Sequence, residues 1–180
     1  MSERPLHIEA RSQVGHWECG TVIGAGNKGA VVTMVERKSG YAVLAKASNK
    51  TSELVSSAIV SNLKPFAISI KTLTYDNGKE FAGHSLIGQQ LNSTAYFERP
   101  FDSWERGSNE NLNGFLRQCN PKKRAMSKVS DEEIRMIQNR LNNKPRKRLG
   151  FKTLAEVFYQ SLKRVALRTK NLLMLKGKHQ

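Results

Sequence analysis

The sequence predicts an α/β fold: a mixed five-stranded sheet with flanking helices and a basic helical C-terminal extension. Three observations support it. Segment 16–23 alternates as a half-buried strand, segments 30–37 and 41–47 also have strand patterns, and short turns join the three, as in an antiparallel meander. Helical and strand patterns then alternate along the chain. Positive charge is concentrated in the last third.

The turn between the first two strands has the spacing of a dinucleotide-binding loop. Its glycines are Gly24, Gly26 and Gly29. Such a loop must open a helix, whereas a strand pattern follows here, so we interpret the segment as a hairpin turn.

Two helix–strand pairs follow the meander. The first helix ends before Pro65 and places five apolar residues inward: Leu54, Val55, Ala58, Ile59 and Leu63. A strand is predicted over 68–75, then a short helix over 84–91 and a strand over 93–97. Two later helices begin at capping boxes, which are Ser130 with Glu133 and Thr153 with Glu156. The last dozen residues have no clear pattern.

Charge limits the classes of partner. Residues 1–116 hold 12 basic and 11 acidic residues, whereas residues 117–180 hold 18 basic and 4 acidic. A near-neutral body with a basic C-terminal third indicates a polyanion partner, most simply nucleic acid. A ribosomal-type RNA binder is an alternative. An anionic membrane surface is a weaker one, because no long basic amphipathic helix carries an aromatic anchor.

Composition predicts a folded cytoplasmic protein. The chain of 180 residues suits one domain, and no apolar run approaches the roughly 20 residues that span a bilayer. The N-terminus lacks the apolar core of a secretion signal. Cys19 and Cys119 are too few and too far apart for a zinc motif and suit a reducing compartment.

Asp76 follows the predicted strand 68–75 directly, in the triplet Asp76-Asn77-Gly78. Functional acids often lie just beyond the C-terminal end of a central strand. The alternative is a turn-forming side chain.

The segment from Trp104 to Lys122 predicts an amphipathic helix that Ser108 or Asn109 caps. Its buried face comprises Leu112, Phe115, Leu116 and Cys119. Its polar face comprises Glu110, Asn113, Gly114 and Arg117. Glu110 lies in the first turn, where the helix dipole favours an ionised carboxylate that suits a hard divalent cation. A solvated helix face is the alternative.

The order of elements is that of the ribonuclease-H-like fold, and three stretches carry a family resemblance. They read TYDNGKEFAGH at 74–84, PFDSWERGSNENLNGFLRQCNPK at 100–122 and LNNKPRKRLGFKT at 141–153. Together with GHWE at 15–18 and VVTMVERKSGY at 31–41, they resemble the insertion-sequence-thirty family of DDE transposases. The resemblance covers about residues 4 to 168 and predicts a lead-in at 1–12, an integrase-like catalytic core at 13–168 and an unmatched tail at 169–180.

The resemblance implies that the chain cuts and joins DNA with Mg²⁺ or Mn²⁺. Asp76 matches the second acid of the catalytic triad and Glu110 the third. The implied partners are transposon ends and target DNA, with a homo-oligomer left open. The candidate DNA-binding residues are polar or basic: Arg106, Asn109, Asn113, Arg117, Lys122, Lys123, Arg146, Lys147 and Arg148.

The first triad acid is the main departure, because Gly20 stands where the family has aspartate. Glu18 shares that strand face but is displaced by two residues, roughly 6.6 Å. It is the candidate substitute ligand. The N-terminal helix-turn-helix module that recognises transposon ends is also expected to be missing. Two hypotheses follow: a catalytic domain impaired at its first acid, and a non-catalytic DNA-binding remnant.

Overall fold

A five-stranded sheet organises the part of the chain that the structure describes. The structure is a computed structural model that describes residues 8, 10–24, 29–98, 112, 114, 116 and 126–176, with side chains as far as residue 167. The strands are β1 His16–Ile23, β2 Ala30–Glu36, β3 Ala42–Ala47, β4 Thr72–Tyr75 and β5 Thr94–Phe97. Their order is β3-β2-β1-β4-β5. The first three strands pair antiparallel, and β4 lies parallel to β1 and β5. The predicted α/β fold with a mixed sheet is confirmed.

Helices cover both faces of this sheet. They are α1 Ser52–Leu63, α2 His84–Leu91, α3 Asp131–Asn142 and α4 Leu154–Lys176. Both predicted capping boxes are confirmed. Each capping hydroxyl accepts a hydrogen bond from the N–H of the glutamate three residues later, and the carboxylate of that glutamate accepts one from the N–H of the capping residue. No helix among the described residues is long and apolar enough to cross a membrane.

Two expectations about these elements were wrong. The strand predicted over 68–75 begins only at Thr72, because Lys64–Ser69 forms a 3₁₀ helix with Pro65 in its first turn. Ile68 is consequently 87% exposed. Leu54, predicted inward, is 39% exposed, because α1 buries only the stripe that begins at Val55. Helix α4 runs to Lys176, into the last dozen residues, for which the sequence had shown no clear pattern.

Two apolar clusters hold the helices against the sheet. The first contains Trp17, Tyr75 and Phe158, and it packs α1, α2 and α4 on one face. The second contains Val31 and Leu44 with α3 on the other. Because β2 is covered on both faces, all seven of its residues are buried.

The second cluster also contains part of the helix predicted over Trp104 to Lys122. Leu112 and Leu116 are helical and buried, and Gly114 between them is helical and exposed. The predicted sidedness is confirmed at these three positions. The other predicted face residues lie outside the described part of the chain.

Side-chain amides of α3 occupy the outer edge of β3. The N–H of Ala42 donates to Oδ1 of Asn142 at 2.9 Å, and Nδ2 of Asn142 donates to the Ala42 carbonyl at 2.7 Å. The N–H of Leu44 donates to Oε1 of Gln138 at 2.8 Å. An open edge strand exposes such groups to pairing with another chain, so these bonds protect the edge.

We expect Asn142→Ala to lower the free energy of unfolding by about 1–3 kcal/mol, because the N–H and C=O of Ala42 would stay buried without partners. The measurement is urea unfolding. Asn143→Ala is the matched control, since the exposed side chain of Asn143 bonds to the Asn139 carbonyl of its own helix and not to β3. The control should change stability by less than about 0.5 kcal/mol. Equal losses from both variants would contradict the role assigned to Asn142.

Candidate active site

Asp76 lies where β4 ends, and hydrogen bonds fix the backbone around it. The residue is half-buried, and its Oδ1 accepts the Gly78 N–H at 2.9 Å. The N–H of Glu98 donates to the Tyr75 carbonyl at 3.0 Å, and Nδ2 of Asn77 donates to the Glu98 carbonyl at 3.0 Å. Asp76 therefore occupies a defined position at the carboxyl end of a central strand, and it also forms the turn that the alternative interpretation required.

Gly20 is the neighbour of Asp76 on the adjacent strand. The parallel pairing of β1 with β4 ends at Cys19 opposite Tyr75. The next residue is Gly20 in β1 and Asp76 after β4. Adjacent strands lie about 4.8 Å apart, and residues at equal positions of parallel strands share a face. A carboxylate at position 20 would therefore lie beside that of Asp76. Glycine supplies none.

Glu18 lies two residues before Gly20 on the same strand face, opposite Thr74. Its carboxylate accepts a hydrogen bond from Nη1 of Arg37 at 2.6 Å, and both side chains are only 1% exposed. The Arg37 backbone lies beside His16, since its N–H donates to the His16 carbonyl. Breaking a buried ion pair leaves an uncompensated charge, so this contact opposes the use of Glu18 as a metal ligand.

Cys19 does not supply the missing donor either. Burial, followed by the nearby carboxylates of Glu18 and Asp76, raises the pKa of its thiol far above the usual range. The thiol therefore stays protonated, whereas a metal ligand or a nucleophile must be a thiolate.

A second carboxylate, Glu80, lies close to Asp76. Its Oε1 accepts from Thr21 at 2.8 Å and pairs with Nζ of Lys50 at 2.7 Å. Burial alone raises the pKa of this carboxyl. The hydrogen bonds from Lys50, from the Glu80 backbone N–H and from Thr21 outweigh burial and hold the pKa below its usual range.

This trio of Thr21, Lys50 and Glu80 was not predicted from the sequence. Glu80 follows Asp76 by four residues, which is a weak signal of proximity. Lys50 lies 30 residues earlier, and nothing in the sequence connects it with Glu80. Only the fold brings the turn after β3 beside the loop after β4.

The described donors do not form a complete metal site. No group of three His, Cys, Asp or Glu side chains that could hold a metal ion occurs within the ranges described above. Of the predicted ligands, Asp76 has the carboxylate chemistry that Mg²⁺ prefers, Gly20 has no donor atom and Glu110 lies outside the described residues. The described part of the site thus offers the Asp76 carboxylate as one candidate Mg²⁺ ligand, and position 20 offers none.

Of the predicted basic residues Arg146, Lys147 and Arg148, the last lies at the end of the sheet away from Asp76. A Cβ atom on Gly40 would be 2.9 Å from Nη2 of Arg148, so this guanidinium lies against the turn between β2 and β3. That turn follows Glu36, which pairs with Trp17, whereas Gly20 pairs with Thr33. Three residues of strand separate the two levels by about 10 Å. The other candidate DNA-binding residues lie outside the described part: Arg106, Asn109, Asn113, Arg117, Lys122 and Lys123.

Two transposases are similar to most of this chain. The transposase for insertion sequence element IS4351 of Bacteroides fragilis is 43% identical over 160 residues, which are 89% of this chain and 49% of that protein. Transposase InsI for insertion sequence element IS30A of Escherichia coli (strain K12) is 36% identical over 156 residues, 86% of this chain and 40% of that protein. The chain is related to the insertion-sequence-thirty transposases. The family resemblance seen in the sequence is therefore confirmed, although this chain spans less than half the length of either relative. No protein-family model matches it.

The fold comparison agrees. The catalytic core domain of BIV integrase matches with a TM-score of 0.64 and 20% identity, covering 84% of this chain and 97% of that domain. At this identity the match establishes the fold, and the predicted ribonuclease-H-like architecture is confirmed.

We expect Gly78→Ala to destabilise the loop that carries Asp76. Gly78 has ordinary extended dihedrals, with φ −70° and ψ 140°, so alanine suits its backbone. The added Cβ would overlap Oε2 of Glu80 and lie 2.7 Å from Oδ1 of Asp76. Overpacking of this kind costs about 1–3 kcal/mol, which urea unfolding would measure.

Gly114→Ala is the matched control for this prediction. Gly114 is helical and exposed, and nothing lies within 4 Å of its added Cβ. Alanine there should stabilise the protein by roughly 0.5–1 kcal/mol. A gain in stability for both variants would show that the Glu80 carboxylate moves aside at no cost.

Proposed function

We propose that this chain is the DNA-cleaving and DNA-joining core of a DDE transposase, acting on transposon ends and target DNA. The observation that carries the proposal is the position of Asp76 at the end of β4, beside position 20 of β1, in a ribonuclease-H-like sheet. The relationship to transposases supports the choice of DNA as substrate.

In this proposal Asp76 and Glu110 hold one Mg²⁺ or Mn²⁺ ion. Bound divalent cations in such sites activate the attacking water or hydroxyl and stabilise the leaving oxygen. The chain's own contribution is position. Asp76 is held by the Gly78 N–H, and the ion pair between buried Glu80 and partly exposed Lys50 supports the same loop.

We infer that this copy is impaired. Position 20 lacks a carboxylate, and Glu18 is engaged by Arg37 on the buried strand face. Displacement of a catalytic group by even about 1 Å can cost a hundredfold in rate. Glu18 is displaced by two residues along the strand and is a poor substitute.

A non-catalytic DNA-binding role is the second candidate, and Gly20 favours it. Both roles predict DNA binding through the basic C-terminal third, and only the first predicts strand cleavage. Nicking of supercoiled DNA in Mg²⁺ or Mn²⁺ separates them.

We expect Gly20→Asp to gain function. The new carboxylate would lie beside Asp76 and complete the set that bridges two metal ions. Adding Mg²⁺ should raise the thermal unfolding temperature of Gly20→Asp more than that of the wild type, because a ligand that binds the folded state stabilises it. Nicking should increase in parallel.

Gly20→Asn is the control, since it adds the same volume without the charge. It should gain neither the Mg²⁺ response nor the nicking. Asp76→Asn in the Gly20→Asp background should remove both. If the wild type already nicks as fast as Gly20→Asp, then another group supplies the third ligand and the inferred impairment is wrong.

We also expect DNA binding that is tolerant of sequence and steeply dependent on salt. Each phosphate contact contributes about −0.9 to the slope of log K against log salt concentration. Replacing Arg146, Lys147 and Arg148 by glutamine should flatten that slope by up to about three units. Fluorescence anisotropy over a salt series is the measurement.

The control keeps the charges and changes the side chains: Arg146→Lys, Lys147→Arg and Arg148→Lys together. Its slope should equal that of the wild type. An unchanged slope in the glutamine variant would place the DNA elsewhere on the protein.

A further inference from the structure

The connection between α3 and α4, residues 144–152, is rich in basic residues and contains no acid. It is here called the basic loop. Between Glu133 and Glu156 the chain carries seven Lys or Arg residues and no acid. Five of the seven lie in the basic loop: Lys144, Arg146, Lys147, Arg148 and Lys152. The acids Asp131, Glu132 and Glu133 occupy the opposite end of α3, about two and a half helical turns from Asn142.

Backbone hydrogen bonds close this loop upon itself. The Arg146 carbonyl accepts the N–H groups of Leu149 at 2.9 Å and of Phe151 at 3.0 Å. The Arg146 N–H donates to the Lys152 carbonyl at 3.0 Å. The cations are therefore displayed on a structured turn.

Phe151 lies in this turn with an exposed side chain and an unfavourable backbone conformation. The side chain is 70% exposed and belongs to neither apolar cluster. Its φ is +65°, a left-handed conformation that is a genuine outlier for a bulky residue. Neither the backbone conformation nor the burial of the side chain accounts for a phenylalanine at this position. Contact of the ring with a partner molecule would account for it.

Exposed aromatic rings among cations suit nucleic acid, because phosphates pair with the cations and bases stack on the ring. Leu86 is an exposed apolar residue with different surroundings. It is 52% exposed in α2, where the helix His84–Leu91 has no Lys or Arg.

We propose that Phe151 stacks on an exposed base of DNA whose phosphates contact the basic loop, forming a second DNA contact separate from the Asp76 site. The inference rests on the proposed function, since it assumes that the polyanion is DNA. The separation follows from the strand register. Arg148 lies against the turn after Glu36, at the end of β1 remote from Gly20.

The test compares variants that keep the loop but change the ring. Phe151→Asn removes the ring and retains a residue that tolerates left-handed backbone. Phe151→Tyr keeps the ring. The probe is a single-stranded oligonucleotide containing 2-aminopurine, whose fluorescence reports stacking. We expect Phe151→Asn to weaken binding at least about fivefold and to lose the fluorescence change, with the salt slope unchanged. Phe151→Tyr should behave as the wild type.

Leu86→Ala is the control for loss of an exposed apolar side chain and should bind as the wild type. Circular dichroism verifies folding, and Phe151→Gly replaces Phe151→Asn if the latter unfolds. Wild-type binding by the ring-free variant would overturn this inference alone, as would an equal loss in Phe151→Tyr. Unchanged DNA binding with loss of self-association would assign Phe151 to a protein contact and also overturn it. Failure of the wild-type chain to bind DNA at all would overturn the proposed function as well.

Discussion

The parallel pairing of β1 with β4 is the constraint on which the candidate site depends. The two strands are joined only through β2, β3 and α1, so their register is set by packing and not by a turn. With Cys19 opposite Tyr75, position 20 lies beside Asp76. A slip of one residue would turn Asp76 to the other face of the sheet. Trp17, Leu73 and Tyr75, each with 0% exposure, oppose such a slip because their rings and side chains would leave the core.

Two buried polar residues of β1, His16 and Glu18, lie on the same strand face as Gly20 and have side-chain partners. Nδ1 of His16 lies 2.9 Å from Oγ1 of Thr72, and Glu18 pairs with Arg37. In a low-dielectric interior an ionised side chain must be paired. This requirement distinguishes Glu18 from Asp76. Glu18 is a structural partner of Arg37, whereas Asp76, half-buried at the strand end, has a carboxylate suited to a ligand.

The loop after β4 contains a further paired acid, Glu80. Its carboxylate accepts a hydrogen bond from Thr21 of β1 and pairs with Nζ of Lys50, which follows β3 and is partly exposed. Two segments distant in sequence thus support the short loop that carries Asp76 and Glu80. Because Gly78 leaves space for both carboxylates, the Asp-Asn-Gly triplet is as much a packing requirement as a turn signal.

The sequence alone determined the elements whose signals are local. Strand patterns located β1, β2 and β3 to within one residue, and capping residues located the starts of α3 and α4, because these patterns depend on neighbours along the chain. The motif around Asp76 and the glycine at position 20 were also visible there. Tertiary structure alone decided the partner of Glu18, the pairing of Glu80 with Lys50, the amide bonds from Asn142 to β3 and the exposure of Ile68. Each of these joins segments far apart in the chain or depends on which surface the fold covers. Tertiary structure also decided the strained backbone of Phe151. Its left-handed dihedral follows from closure of the basic loop and not from the residue type.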